Sequence, residues 1–532
     1  MSEADNAAAF AGYNAWRRSR LDERMRSSGR QRVWNHLITV VLYEGTVADP
    51  ETMDRTLSSL QGQTYRNIEI VVTGPCQPTR LDPSEFVGLR GLFVEQGLDP
   101  LTILSEPAAG HLWRGSHIVF AAAGTTFDPD AFDLLNRMLS PLQGRPSPDL
   151  IVCDHDRIAG TESSPTPCFL PGWDPDLIVA MDYVGTAFMV SRKLILQQRP
   201  AKRSASLHEW LCHLANRNPV VGHLAEPVMH LPTSMPRPPA VAASSGHTAA
   251  RSIAIVIPNR DKPELLRRCV RFLDFIEIAE LEVVIVDHAS TDPATLALYA
   301  ELENRHRARI LRIDGRFNFS RMVNLGVAAS TAEVVILVNN DVEVTDPREV
   351  ERMAAHAMRP EVGAVGARLL YADHTVQHAG VLLLPGQKQE HPVLAQHVLR
   401  GAPDSSDGYL HALRTIRNYQ AVTGAIIATR RTVFEQLGGF DEVSLPVECN
   451  DIDYCLSARA AGLRVISLPT QGVFHPESST RGSDTTPEVG RMRGAAMKVM
   501  AQRWREAVDH DPFCNPHTDM GDRPNADFPW NR

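Results

Sequence analysis

The sequence predicts an α/β protein made of two tandem copies of one fold, each a mostly parallel sheet flanked by helices. Short, continuous, β-branched runs alternate with helical stretches, the signature of strands buried on both faces. The alternation occurs twice, on either side of a segment over 233–250 that is rich in Pro, Ala and Ser and lacks periodicity. IEIVVTG in the first half also parallels LEVVIVD in the second, each about thirty residues past a leading strand.

The elements follow in order. Residues 1–35 read as a basic N-terminal arm carrying Arg17, Arg18, Arg20, Arg24, Arg26, Arg30 and Arg32, with Trp16 and Trp34 near its ends. Such a helix can rest on an anionic membrane surface, or stand as a solvated helix or unstructured arm. The first domain, 36–232, opens with the strand LITVVL at Leu37–Leu42, a helix around Thr52–Leu60 and the strand IEIVV at Ile68–Val72. After the linker the pattern restarts over 251–532. Strands are expected at Ile253–Ile257, Leu281–Val286, Ile310–Ile313 and Val334–Val338, with helices near Pro263–Phe275, Asp292–Asn304 and Ser320–Ala329.

Composition narrows the function. The chain is 43% hydrophobic and 22% charged, ordinary values for a soluble protein. With 54 basic against 63 acidic residues the net charge is −9, which argues against a general nucleic-acid surface. No apolar run reaches the roughly 18 residues a membrane-spanning helix needs, and the N-terminus has no apolar signal segment. A cytoplasmic protein is expected, with the basic arm as its route to the inner face of a membrane. The eight cysteines show no CxxC and no zinc-type spacing, as expected of reduced, buried thiols.

In a sheet of this kind ligands bind beyond the carboxyl ends of the strands, so the residues just after each strand carry the chemistry. In the second half these are Pro258-Asn259-Arg260-Asp261, then Asp287 with Ser290, Thr291 and Asp292, then Asn339-Asn340-Asp341. A carboxylate at the end of a buried strand must meet a cation or hydrogen-bond donors. A nucleotide with Mg²⁺ or Mn²⁺ supplies both, since a hard cation takes oxygen ligands and bridges diphosphate oxygens. Taken singly, Asp after a strand is more often a turn former or helix cap. It is the three coinciding strand ends that point to a site. Further on, Asp451 and Asp453 sit two apart at the start of a helical stretch and must diverge, so one can face a site while the other caps or braces the helix. His475 ends a strand, as a metal ligand, a phosphate contact or a packed histidine.

The blocks IVIPNRDKPELLRRCV, VVIVDHAS, VVILVNNDVEV, VTGAIIATRRTVFEQLGGFDE, NDIDYCLSARAAGLRV and HPESSTRG occur in this order. They resemble family 2 glycosyltransferases of the GT-A fold. YADHTVQHAGV and RNYQAVTGA are similar to a tandem-domain subgroup seen in bacterial polysaccharide and rhamnan biosynthesis, and the likeness runs from about 252 to 520, including DPFCNP. The resemblance implies an inverting transfer of a hexosyl or deoxyhexosyl group from a nucleotide-diphosphate-sugar to a hydroxyl of a glycan or lipid-linked acceptor. It implies that Pro258, Asn259, Arg260 and Asn340 line the nucleotide pocket and that Asp287 meets the base or ribose. Asp341, with Asn339 and His475, would hold the divalent cation, Asn-Asn-Asp standing where the broad family often has Asp-x-Asp. Asp451 matches the catalytic base, while Gly424, Asp453 and Arg481 fall on the acceptor or phosphate side.

The first half resembles the same fold, diverged. Thr73-Gly74 stands where an acidic residue is expected, Ala122, Ala123, Gly124 and Thr125 supply no metal ligand, and Glu209 falls where a base-bearing segment could be. The expectation is therefore a degenerate first copy beside a catalytic second one. The alternative is a non-catalytic scaffold of two GT-A-like domains, and hydrolysis or nucleotidyl transfer is a third reading. Retention of Asp287, Asp341 and Asp451 together favours catalysis, since a drifting copy loses such residues as the first half did.

Overall fold

The computed structural model describes residues 3–27, 36–43, 50–73, 92–94, 113–140, 146–158, 165–198, 206–235, 250–388, 391–476 and 487–521. The chain divides into two compact units, one from Met1 to Pro239 together with Asn515–Thr518, the other essentially Ala240–Cys514.

Among the described residues the first unit holds nine strands: β1 (Ile38–Tyr43), β2 (Ile68–Thr73), β3 (Leu92–Val94), β4 (His117–Ala122), β5 (Thr126–Phe127), β6 (Leu150–Arg157), β7 (Thr166–Cys168), β8 (Phe188–Ser191) and β9 (Val221–Leu231). Their order across the sheet is β3-β2-β1-β4-β8-β6-β9-β5, with β7 paired to β6. β8 runs antiparallel to both its neighbours, while β1–β4 and the β6–β9 pair are parallel.

The second unit repeats this plan. Its main strands are β10 (Ser252–Asn259), β11 (Glu280–His288), β12 (Arg309–Ile313) and β13 (Val334–Val338), then the short β14 (Glu343–Val344) and β15 (Val362–Ala367). Next come β16 (Leu369–Leu370), β17 (Val376–His378), the hairpin β18 (Val381–Lys388) and β19 (His391–His397), and β20 (Arg417–Asn418). β21 (Ile426–Arg430), β22 (Arg464–Leu468) and β23 (Val473–Phe474) complete it. The order β12-β11-β10-β13-β21-β15-β22 matches that of the first unit strand for strand, with β21 the antiparallel member. The short β14 pairs antiparallel with β23, as β5 does with β9.

Why the runs become strands is visible in their burial. Ile253, Ile255 and Ile257 face one apolar layer with Val334, Ile336 and Val338, while Ala254 and Val256 face the other with Val284, Val286, Val335 and Leu337. Burial of each such side chain contributes about 1.5–3 kcal/mol, so a run apolar at every position is stable only when covered on both faces. The Phe319–Ala328 helix packs so close to the sheet that a Cβ on Gly326 would lie 2.3 Å from Val256 Cγ1.

Local structure departs from expectation in three places. The stretch expected as one helix over Pro263–Phe275 is an α-helix only to Cys269 and a 3₁₀ turn over Val270–Asp274. The IIATR segment, not singled out as a strand, forms the antiparallel β21 at the centre of the sheet. The basic arm forms a helix, Glu3–Ser27, whose Arg17, Arg20 and Arg24 are engaged within the first unit while Arg18 and Arg26 are exposed.

Arg17, Arg20 and Arg24 recur at the spacing of one helix face. Arg24, only 9% exposed, meets Asp128 at 2.7 Å, Asp130 at 2.9 Å and Glu226 at 2.9 Å. Arg17 meets Asp156 at 3.2 Å and Arg20 pairs with Glu226. His230 bridges Asp128 at 3.1 Å and Asp156 at 3.0 Å. Burial opposes charge on His230, yet its hydrogen bonds to the two carboxylates raise its pKa above the ordinary histidine value. The arm is thus neither unstructured nor, on this face, open to a membrane. Arg30, Arg32 and Trp34 lie outside the described residues, as does most of the 233–250 linker.

Candidate active site

Two strand ends meet at one cavity of about 550 Å³, lined by Pro258, Asn259 and Arg260 at the end of β10 and by Asn339 and Asn340 after β13. Asp261, Lys262 and Glu448 add charge to its wall, while Phe317, Phe319 and Met322 give it an apolar side, with Val489 and Met492 of the Pro487–Arg503 helix. The turn after β10 is left-handed at Asp261 and Lys262 (φ 49° and 58°). The Asp261 carboxylate pins it by accepting the Asp292 N–H at 3.0 Å and the Thr291 N–H at 2.8 Å, and these bonds hold its carboxyl below the usual range.

The strand ends are joined by a chain of hydrogen bonds. Asn340 Nδ2 donates to Asn259 Oδ1 at 2.6 Å, Asn259 Nδ2 to the Tyr299 hydroxyl at 2.7 Å, and that hydroxyl to Asp287 Oδ1 at 2.7 Å. Asp287 is completely buried; Ser290 donates to it through backbone and hydroxyl, and Arg312 Nε lies 3.3 Å away. A buried carboxylate so fully met is satisfied without a ligand. The structure therefore places Asp287 as a brace that connects to the cavity wall through Tyr299 and Asn259.

At the end of β13, Asp341 is buried and its Oδ1 lies 3.2 Å from His475 Nε2. Gln377 fixes that imidazole: His475 Nδ1 lies 3.0 Å from Gln377 Oε1, and Gln377 Nε2 donates to the His475 carbonyl at 3.1 Å. With Nδ1–H given to Gln377, the Nε2 lone pair faces a carboxylate oxygen, and two acceptors in contact call for a cation or a proton between them. The Asn339 Oδ1 is also buried, without a hydrogen-bond partner. A carboxylate, an amide oxygen and an imidazole nitrogen make a donor set that fits Mn²⁺ or Mg²⁺. Among the described residues no three His, Cys, Asp or Glu side chains converge on a metal position.

Asp451 and Asp453 diverge as their spacing requires. Asp451 Oδ2 accepts the Gly424 N–H at 2.7 Å. A Cβ on Gly424 would lie 3.1 Å from the Asp451 Cβ, a tight contact that glycine avoids. Asp453 turns the other way, to Arg503 Nη1 at 2.8 Å and Trp504 Nε1 at 2.7 Å, and braces the Asn450–Ala460 helix. That helix starts from Cys449 in the left-handed region (φ 63°), costly for a non-glycine residue. Burial, with Asp451 beside it, pushes the Cys449 thiol up to about 12, so it stays neutral. β21 brings the two halves together: the Asn339 N–H donates to Ala425 O at 2.8 Å, one residue from the glycine that holds Asp451.

The sequence-predicted residues Pro258, Asn259, Arg260, Asn339, Asn340, Asp341 and His475 thus gather around this cavity and the cluster beside it, and Gly424 and Asp451 join them through β21. Asp453 is structural, and Arg481 lies outside the described residues. Tyr299, Gln377 and Phe317 were not anticipated. A Tyr within an amphipathic helix reads as core, and nothing local marks Gln377 as the partner of a histidine about a hundred residues on.

The first unit lacks this constellation. Two residues before β5 stands Gly124, where the same count before β14 reaches Asp341. Phe127 pairs with Met229 and Val344 with Val473, so Leu231 takes the place of His475. Ala122 and Ala123 replace the two asparagines. Glu209 closes a capping box with Ser206 at its own helix start, a structural task. Gly74 lies outside the described residues.

Residues 252–414 match the family model described as glycosyl transferase family 2. The chain is 29% identical over 525 residues to the uncharacterized protein y4gI of Sinorhizobium fredii, covering 88% of this chain and 56% of that protein. It is 31% identical over 448 residues to the O-antigen biosynthesis protein RfbC of Myxococcus xanthus, covering 76% of this chain and 34% of that one. The chain therefore spans about a third to a half of the length of these relatives. The mannosyltransferase PcManGT of Pyrobaculum calidifontis, solved with GDP-Man and Mn²⁺, is 15% identical with a TM-score of 0.31, covering 50% of this chain and 79% of that one. The duplicated sheet, the residues gathered at its strand ends and the family match agree: the second unit of this chain carries a family 2 glycosyltransferase domain of the GT-A fold.

Proposed function

We propose that the second unit is an inverting, nucleotide-sugar-dependent glycosyltransferase of bacterial surface polysaccharide biosynthesis, with Asp451 as its base. The observation that carries this reading is the backbone link from Asn339 to Ala425, beside the Gly424 N–H that holds Asp451 Oδ2. It joins a cation-type donor set to a carboxylate three residues on from Glu448, which lines a nucleotide-sized cavity. Asp451 takes the proton from an acceptor hydroxyl as its oxygen attacks the anomeric carbon in line. The bond from that carbon to the diphosphate breaks, and the nucleoside diphosphate leaves with the electron pair. One carboxylate suffices, unlike the pair of most glycoside hydrolases. A divalent cation bound at Asn339, Asp341 and His475 would neutralise charge on the leaving diphosphate. Arg260 and Lys262 add fixed positive charge on the same wall.

RfbC, named for O-antigen biosynthesis, supports a glycan or lipid-linked glycan as acceptor. A cytoplasmic location fits, since the cysteines among the described residues carry free thiols. Any contact with a membrane would fall to arginines pointing away from the first unit, Arg18 and Arg26. The first unit, where Ala122, Ala123, Gly124 and Leu231 replace the metal-side residues, is proposed to position the acceptor or a partner enzyme. Incubation with a panel of nucleotide-sugars and Mn²⁺, followed by mass spectrometry of products, tests the reading. Turnover with one donor that is lost in Asp451→Asn supports it. Nucleotide binding without turnover on any donor or acceptor would favour the scaffold alternative.

A further inference from the structure

β17 carries Gln377 and His378 side by side, both buried, at 5% and 0% exposure. Consecutive residues of a strand point to opposite faces, so they serve different neighbours. Gln377 holds His475 at both ends, through Nδ1 at 3.0 Å and the carbonyl at 3.1 Å. His378 faces the β21 approach: the Thr423 N–H points at His378 Nε2 from 3.4 Å, and His378 Nδ1 lies 2.8 Å from His397 Nδ1 on β19. Burial, with His397 and His475 nearby, keeps the His378 pKa well below the ordinary value, so it is a neutral imidazole. Its Nε2 then accepts from Thr423 while Nδ1–H donates to His397. Thr423 directly precedes Gly424, whose N–H fixes Asp451 Oδ2 at 2.7 Å.

We propose that Gln377-His378 is a positioning element that holds the cation-side histidine with one side chain and the base-side loop with the other. This rests on the reading of Asp451 as the base and His475 as a cation ligand. Neither residue of the pair lines the cavity. Because they are adjacent on one short strand, a single peptide unit ties the cation side to the base side, alongside the Asn339–Ala425 backbone bond.

The test uses the full chain and four variants, with folding checked by thermal unfolding. Gln377→Leu removes the acceptor for His475 Nδ1–H, and Gln377→Glu keeps one. His378→Leu removes the acceptor for Thr423 N–H, and His378→Gln offers a replacement at a similar reach. Mn²⁺ affinity is measured by electron paramagnetic resonance with the metal alone, and exchange of the Thr423–Ala425 amides by hydrogen–deuterium mass spectrometry. With a donor found in the panel, kcat is followed against pH. Gln377→Leu should weaken Mn²⁺ binding by about 10–100-fold, the usual effect of losing an outer-shell partner, with exchange unchanged. His378→Leu should leave Mn²⁺ affinity within about twofold, speed amide exchange roughly tenfold, lower kcat by about tenfold and move the acid limb of the pH profile upward, because a donor to the charged carboxylate is displaced. Both conservative variants should recover most of the loss. Equal effects of both leucine variants on both readouts, or no effect of either, would overturn the proposal by reducing the pair to core packing. Full turnover in Asp451→Asn would instead overturn the base assignment, with the Mn²⁺ and exchange results still telling whether the pair separates the two halves.

Discussion

Asn340 donates to Asn259 across 2.6 Å, and through that bond the end of β13 is tied to the end of β10. The tie continues through Tyr299 to Asp287 on β11, so strand ends far apart in sequence are linked by one chain of hydrogen bonds. Tyr299→Phe keeps the ring and removes the hydroxyl that serves Asn259 and Asp287. It should cost about 1–3 kcal/mol of stability, the penalty for leaving buried polar groups unmet. Nucleoside-diphosphate affinity should weaken several-fold. Urea unfolding and calorimetry check both, and unchanged values would show the chain of bonds to be incidental.

Asp341→Ala removes the only carboxylate of the proposed cation set. Nucleoside-diphosphate binding should lose its dependence on Mn²⁺, while metal-free binding changes little. A calorimetric titration with and without chelator reads this directly, and an unchanged metal response would place the cation elsewhere.

Asp451→Asn keeps the size of the side chain and an acceptor for Gly424 N–H but cannot take a proton. Transfer should fall by about 10²–10⁴-fold, the usual contribution of a positioned base. Nucleoside-diphosphate affinity should stay nearly unchanged. Near-normal turnover would remove Asp451 from its role.

Asp511, in the DPFCNP block, gives the fold a pH dependence. Burial pushes its carboxyl up to about 6, against N–H donors from Leu383 and Phe513 that favour the charged form. A folded pKa above the unfolded one means stability present below about pH 4 and lost as pH rises through 6. The change amounts to at most roughly 3 kcal/mol. Unfolding of the protein and of Asp511→Asn across pH 4 to 7 should differ by this slope, and parallel profiles would contradict it.

Arg24→Ala leaves Asp128, Asp130 and Glu226 short of a cation. Breaking a buried ion pair costs about 3–5 kcal/mol, so the first unit should lose that much stability. The Glu3–Ser27 helix should also become sensitive to limited proteolysis. Retained protection would show that the apolar contacts of Tyr13 and Trp16 suffice to hold it.

Much of this was legible in the sequence because parallel sheets place chemistry at a fixed address. Apolar runs mark the strands, and the residues following them, Asn259, Asp287, Asn339 and Asp341, must lie at one edge. The divergence of Asp451 and Asp453 followed from helix geometry alone. Long-range pairing was not legible. Arg24 finds Asp128 and Asp130 about a hundred residues away, and a run of arginines reads the same whether its partner is water, lipid or a buried carboxylate. The buried setting of Asp287 was hidden for a like reason, since Tyr299 and Arg312 reach it from separate elements. Gln377 and His378 lie on a three-residue strand, too short to show a period.

The two copies of the fold have arrived at opposite solutions for negative charge at a strand edge. In the second unit, Asp341 and its neighbours suit an ion that arrives from solution and departs with it. In the first, Asp128, Asp130 and Asp156 are neutralised by guanidinium groups of the same polypeptide, delivered by the Glu3–Ser27 helix. A counter-ion built into the chain cannot be diluted, exchanged or chelated. The first copy is therefore neutralised from within the chain, where the second, on the proposed reading, would be loaded from solution.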